Sequence, residues 1–139
     1  MLWSLLIYIP FAHWLWGGGF LQQLGVVDFA GGIVVHVSAG MAALASVFVV
    51  GKRILPQSEK NSPHNITYVA LGTGLLWFGW FGFNGGSALA ANGVASAAFV
   101  NTDIAGSIAM VTWLFISWIH EKRPSFVGAL TGAVAGLAT

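Results

Sequence analysis

Residues 29–51 form a run of 23 without Asp, Glu, Lys or Arg. A helix needs about 20 apolar residues to cross a bilayer core, so this run is long enough to span one. The rest of the chain agrees. Apolar residues make up 57% of the sequence and charged residues only 6%, against about 25% charged in an ordinary soluble domain. Nine charged side chains, five basic and four acidic, cannot cover the surface of a soluble protein of 139 residues. In a polytopic membrane protein lipid is the solvent for most of the surface, and the deficit disappears. A net charge of +1 argues against a nucleic-acid footprint, which needs clustered Lys and Arg. The absence of cysteine excludes disulfides, iron–sulfur clusters and thiolate zinc sites. No basic stretch or small-residue cleavage site follows Met1, so the start does not read as a signal peptide.

Polar breaks divide the chain into spans at about 2–16, 30–50, 66–90, 101–120 and 125–139. The predicted fold is all-α: a polytopic transmembrane helix bundle with about four crossings and the start of a fifth, in a single transmembrane domain over 1–139. Gly17-Gly18-Gly19 ends the first span. Asp28 is placed to cap the second. Asn92-Gly93 breaks the uncharged stretch after the third, and Asn101-Thr102-Asp103 offers caps for the fourth. The first span is short and holds Pro10, and the last is still apolar at Thr139. The sequence therefore reads as an internal piece of a larger transporter or channel.

All five basic residues fall in two places: Lys52, Arg53 and Lys60, then Lys122 and Arg123. Two crossings separate these loops, so both lie on one face, and the positive-inside rule makes that face cytoplasmic. Loops 51–64 and 120–124 are expected inside; segments 17–28 and 91–100 are expected outside.

His36 is the titratable side chain placed deep in an uncharged span. Such residues face a cavity or a partner rather than lipid and mark functional sites. Gly32, His36 and Gly40 recur every four residues on one helix face and leave space beside the ring. In the third span, Phe83 and Ser87 also lie four apart, with Trp80 three before Phe83. A ring that blocks a passage with a hydroxyl outside it suits a gated pore. Trp77 reads as core or interfacial belt. Gly128, Gly132 and Gly136, and Gly82 with Gly86, form G-x-x-x-G series that let helix backbones approach closely. His13 reads as interfacial, and His64 lies beside Asn65, where the third helix is capped. His120-Glu121 lacks the second histidine of a zinc-protease motif. No span carries paired carboxylates, a nucleophile–base pair or a metal cluster, so the expectation is a protein that is not an enzyme and has no metal or cofactor. Two other readings stand beside a pore: a haem-binding membrane subunit using His13 and His36, and a truncated fragment that does not transport.

Several separated motifs carry a family likeness. Trp16-Gly17-Gly18-Gly19, Asp28-Phe29-Ala30-Gly31-Gly32-Ile33-Val34-Val35-His36 and Trp80-Phe81-Gly82-Phe83-Asn84-Gly85-Gly86-Ser87 follow one another in order and approximate spacing. Asn101-Thr102, Lys122-Arg123-Pro124-Ser125, Gly128 and Ala135-Gly136-Leu137 continue the pattern. Together they resemble the ammonium transporter family over essentially the whole chain. The resemblance implies helices four to seven, and the start of the eighth, of an eleven-helix protein. It implies that Trp16 and Ser87 belong to an outer recruitment site for ammonium, that Phe83 is one of two stacked gate phenylalanines, and that Trp80 lines the lumen. It implies that His36 is the first of two pore histidines and that Asp28 is structural at the outer mouth. The second histidine and the second phenylalanine would belong to other helices. The resemblance further implies a homotrimer, a plasma or inner membrane location and a PII-type regulatory protein at the cytoplasmic face. Asp103 departs from the family pattern and reads as a cap.

The chemistry of such a site follows from elementary terms. Ammonium, like a lysine side chain, is protonated at neutral pH, and moving it into low dielectric is costly unless compensated. A tryptophan face returns about 0.5–2 kcal/mol by cation–π attraction, and a serine oxygen accepts one of its hydrogen bonds. These concentrate the ion without carrying it through. Conduction needs a polar relay or loss of the proton, and imidazole, a donor at one nitrogen and an acceptor at the other, suits both.

Overall fold

The computed structural model describes residues 1–52 and 63–139, and among them every regular element is helical. Four helical stretches are long and apolar enough to cross a membrane: Ser4–Gln23, Gly32–Val50, Ile66–Gly86 and Gly93–Glu121. A shorter apolar helix, Phe126–Leu137, follows. Most of loop 51–64, with Arg53 and Lys60, lies outside the described residues. The chain forms two compact units, Met1–Lys60 and Asn61–Thr139.

The first unit opens with a π turn, Ser4–Tyr8, that leads into α1, Ile9–Trp16. Pro10 accounts for the widened turn. Its ring would meet the carbonyl four residues back in a regular helix, and here the Ile9 N–H instead reaches Ser4 O, five back. The glycine run ends α1 but not the first crossing, which continues to Gln23 and reaches 20 residues rather than stopping short at 16. Gly17 and Gly19 N–H both bond His13 O at 3.0 Å, and Gly18 takes φ +80°, a left-handed value that glycine adopts without penalty. The helix then resumes for one turn, α2, Phe20–Gln23. Gln22 and Gln23 side chains fasten Gly18 by its N–H and its C=O, at 2.7 and 2.8 Å. The second crossing is a π turn, Gly32–Val37, continued by α3, Ser38–Val50. Regular four-residue bonding therefore gives way to five-residue bonding over Gly32–Val37, the stretch that carries Gly32 and His36, while Gly40 lies in the first turn of α3.

The second unit packs α4, Ile66–Gly86, α5, Gly93–Glu121, and α6, Phe126–Leu137. Asn65 caps α4, its side chain accepting from Tyr68 N–H at 3.2 Å. α5 corrects the expected fourth span. It begins eight residues before 101, at Gly93, because Asn92 accepts from Val94 and Ala95 N–H at 3.0 and 3.1 Å and caps it there. Asn101-Thr102-Asp103 is helix interior, Thr102 satisfying its hydroxyl on Ala98 O at 2.6 Å. Asp103 is an exposed mid-helix residue and caps nothing. α4 likewise ends at Gly86 rather than 90, and the expected outer segment 91–100 is mostly helix.

The α5–α6 contact is where small residues act. A Cβ on Gly128 would lie 2.8 Å from the Trp113 ring, one on Gly132 2.7 Å from Trp113 Cβ, and one on Gly136 against the Ala105 carbonyl. The two backbones touch through this stripe, as G-x-x-x-G packing requires. Leu137, Ala133 and Leu130 are buried in it. Trp77 closes the core from α4, its ring lying where a Cβ on Gly106 would touch it and Leu137. The outer faces remain apolar and exposed, Phe78 and Ile119 among them.

Candidate functional site

The six residues singled out in the sequence divide between the two units. Trp16, Asp28 and His36 lie in the first; Trp80, Phe83 and Ser87 lie in the second.

In the first unit Asp28 organises the others. One carboxylate oxygen accepts from Gly31 and Gly32 N–H at 2.7 and 2.8 Å, the other from Ile33 and Val34 N–H at 2.8 and 2.9 Å. Four donors at a helix start are the groups a helix leaves unsatisfied, and a carboxylate there also meets the positive end of the helix dipole. Asp28 O accepts from Trp16 Nε1 at 2.8 Å. One residue thus fixes both the indole of Trp16 and the start of the crossing that carries His36. The Trp16 ring also lies beside Gly31, which takes φ +96°. Trp16 is 45% exposed, and its N–H is committed to Asp28 O.

His36 sits inside the π turn. Gly31 O accepts from Val35 N–H at 2.8 Å and from His36 N–H at 3.0 Å. The turn thereby changes from four-residue to five-residue bonding at the residue that carries the imidazole. Short π segments occur mostly inside α-helices and frequently at functional sites. His36 is half-buried.

In the second unit the Trp80 and Phe83 rings lie 5.7 Å apart at 44°, and Phe83 is 42% exposed. Ser87 Oγ donates to Phe83 O at 2.7 Å. That bond uses the hydroxyl hydrogen and leaves the oxygen lone pairs as acceptors, which suits a cation. Ser87 caps the C-terminus of α4, one residue after Gly86, so its oxygen lies at a helix terminus.

Sequence reasoning gave three residues no role at the site. Asn84 Nδ2 donates to Thr102 Oγ1 at 2.9 Å and to Leu137 O at 3.3 Å, tying α4 to α5 and α6 one residue after Phe83. Thr102 is buried. The third is Ser38, buried at the exit of the π turn. The available signal was an amide and hydroxyls inside uncharged spans, where polar side chains need partners.

The whole chain, residues 1–139, matches the sequence profile of the Ammonium Transporter Family. The chain belongs to the ammonium transporter family. It is 52% identical over 137 residues to an ammonium transporter of Bacillus subtilis and 54% identical over 137 residues to one of Archaeoglobus fulgidus. Each alignment covers 99% of this chain but 33% and 35% of those proteins. Crystal structures of Candida albicans Mep2 and Saccharomyces cerevisiae Mep2 are similar in fold, with TM-scores of 0.89 and 0.90 at 41% and 37% identity. They are matched over 99% of this chain and over 31% and 32% of theirs. The chain thus spans about a third of the length of the ammonium transporters it matches. With four apolar crossings, this member of the ammonium transporter family is an integral membrane protein.

Proposed function

We propose that the protein carrying this chain moves ammonium, or ammonia derived from it, across a membrane. The observation that carries the reading is identity of about half, over nearly the whole chain, to proteins named ammonium transporters. The local geometry supports a role for each residue. Trp16, its N–H held by Asp28, offers a ring face to the cation. Ser87, its hydrogen given to Phe83 O, offers an acceptor. Phe83 acts as a gate ring braced by Trp80, and Trp80 lines the passage. Deprotonation occurs at or below Phe83. His36 lines the route as relay, and Asp28 is structural.

The distribution of Lys and Arg supports placing loops 51–64 and 120–124 in the cytoplasm of a plasma or inner membrane. The family resemblance supports a homotrimer and docking of a PII-type protein on that face. Because the chain spans about a third of its relatives, a second reading applies to it in isolation: these 139 residues alone do not transport, since the second histidine and second gate phenylalanine that the resemblance implies lie elsewhere.

The test is uptake of labelled methylammonium into proteoliposomes holding the full-length protein. Saturable uptake that ammonium competes for, and potassium does not, is the expected result. Uptake equal to that of empty vesicles contradicts the reading.

A further inference from the structure

The π turn around His36 has a specific fastening. In a regular helix the Ser38 N–H would bond Val34 O, four residues back. Here it is shared between Ile33 O, five back, and Val35 O, three back. The Ser38 hydroxyl takes the bypassed carbonyl instead, donating to Val34 O at 2.6 Å, with Val35 O at 3.1 Å. Ser38 is 4% exposed and Val34 is 0% exposed. Water does not reach this carbonyl, so its bonding must be met from within the protein.

A serine bonding its own helix four residues back is common. Ser46 does the same to Ala42 O at 2.8 Å, in the regular part of α3 and on an exposed surface. Ser38 differs on three counts: it is buried, it reaches two carbonyls, and it stands where five-residue bonding ends.

We propose that Ser38 is a positioning residue for His36: its hydroxyl locks the π turn and so sets the direction of the imidazole. The proposal rests on the reading of His36 as a relay. Asp28 holds the first end of the turn through four bonds. Removing the hydroxyl takes a donor from Val34 O. The simplest remedy is for the Ser38 N–H to return to Val34 O, which rewinds the turn into α register. With the first end fixed, rewinding the turn rotates the residues from His36 onward, by up to about 100° once the turn is passed. His36 is then misdirected, although the crossing stays helical.

The experiment uses the full-length protein in proteoliposomes and reads methylammonium uptake together with rubidium leak. Ser38→Ala lowers uptake about tenfold without loss of assembled protein. Ser38→Thr keeps the hydroxyl and stays within about twofold. Ser46→Ala matches the unaltered protein. In the His36→Ala background, Ser38→Ala adds nothing, as expected of a residue acting through another. Wild-type uptake and leak in Ser38→Ala overturn the proposal, as does an undiminished effect in the His36→Ala background. If Ser38→Ala fails to assemble, Ser38→Cys decides: a weak thiol donor predicts uptake below that of Ser38→Thr, and equal uptake overturns the proposal. His36→Ala indistinguishable from the unaltered protein is a different failure, which removes the relay reading itself.

Discussion

Replacing Asp28 tests how the second crossing is held. Its carboxylate accepts four backbone N–H bonds between 2.7 and 2.9 Å. Three of these are partly buried, those from Gly31, Ile33 and Val34. Hydrogen bonds contribute about 1 kcal/mol each net, and more to a charged partner. Counting only the three partly buried bonds, at the lower figure, Asp28→Ala costs about 3 kcal/mol. This exceeds the common loss of about 1 kcal/mol for a helix cap, because one side chain here serves four donors. Asp28→Asn keeps one acceptor oxygen and turns an NH2 toward two donors. It retains two of the four bonds and costs about half to two thirds as much. Thermal unfolding of the full-length protein in detergent, followed by circular dichroism, reads the order: unaltered above Asp28→Asn above Asp28→Ala, the last lower by about 5 °C. An Asp28→Ala protein melting within about 1 °C of the unaltered one refutes the argument. So does an Asp28→Asn protein as stable as the original.

Three further outcomes follow from the same structure. Gly132→Leu forces side-chain atoms onto Trp113 Cβ and Ala109 O, where a Cβ alone would already lie at 2.7 and 2.8 Å. It destabilises the α5–α6 contact by about 1–3 kcal/mol, seen as a lower melting temperature or loss of assembled protein. Asn84→Leu and Thr102→Val break a shared bond of 2.9 Å. Each costs about 0.6–1.7 kcal/mol, and the double variant costs less than the sum in a stability cycle. Trp16→Leu removes a partly exposed aromatic ring and raises the half-saturating methylammonium concentration about fivefold, while Trp16→Phe recovers part of the loss.

Much of this architecture is legible in the residues. Charge-free length locates the crossings, Asp28 stands where a helix start needs acceptors, and the glycine stripe from Gly128 to Gly136 meets the backbone of α5. The start of α5 is misread because Asn101-Thr102-Asp103 looks like a polar break. A buried threonine inside a helix bonds its own carbonyls and needs no break, whereas Asn92 does the capping. The π turns escape because periodicity assumes one residue per 100°. Pro10 is a sufficient local signal for the first. The second depends on bonds by Asp28 and Ser38 from opposite ends, which no spacing rule reads. Asn84 sits in a recognised motif, yet its partners are 18 and 53 residues away, and only the folded chain brings them together.

The central claim is that the half-buried imidazole in the second crossing borders the path taken by ammonium. His36→Ala in the full-length protein, assayed for methylammonium uptake and rubidium leak in the same vesicles, addresses it directly. The account predicts uptake reduced at least about tenfold, or discrimination against rubidium lost. Unchanged uptake with unchanged discrimination contradicts it.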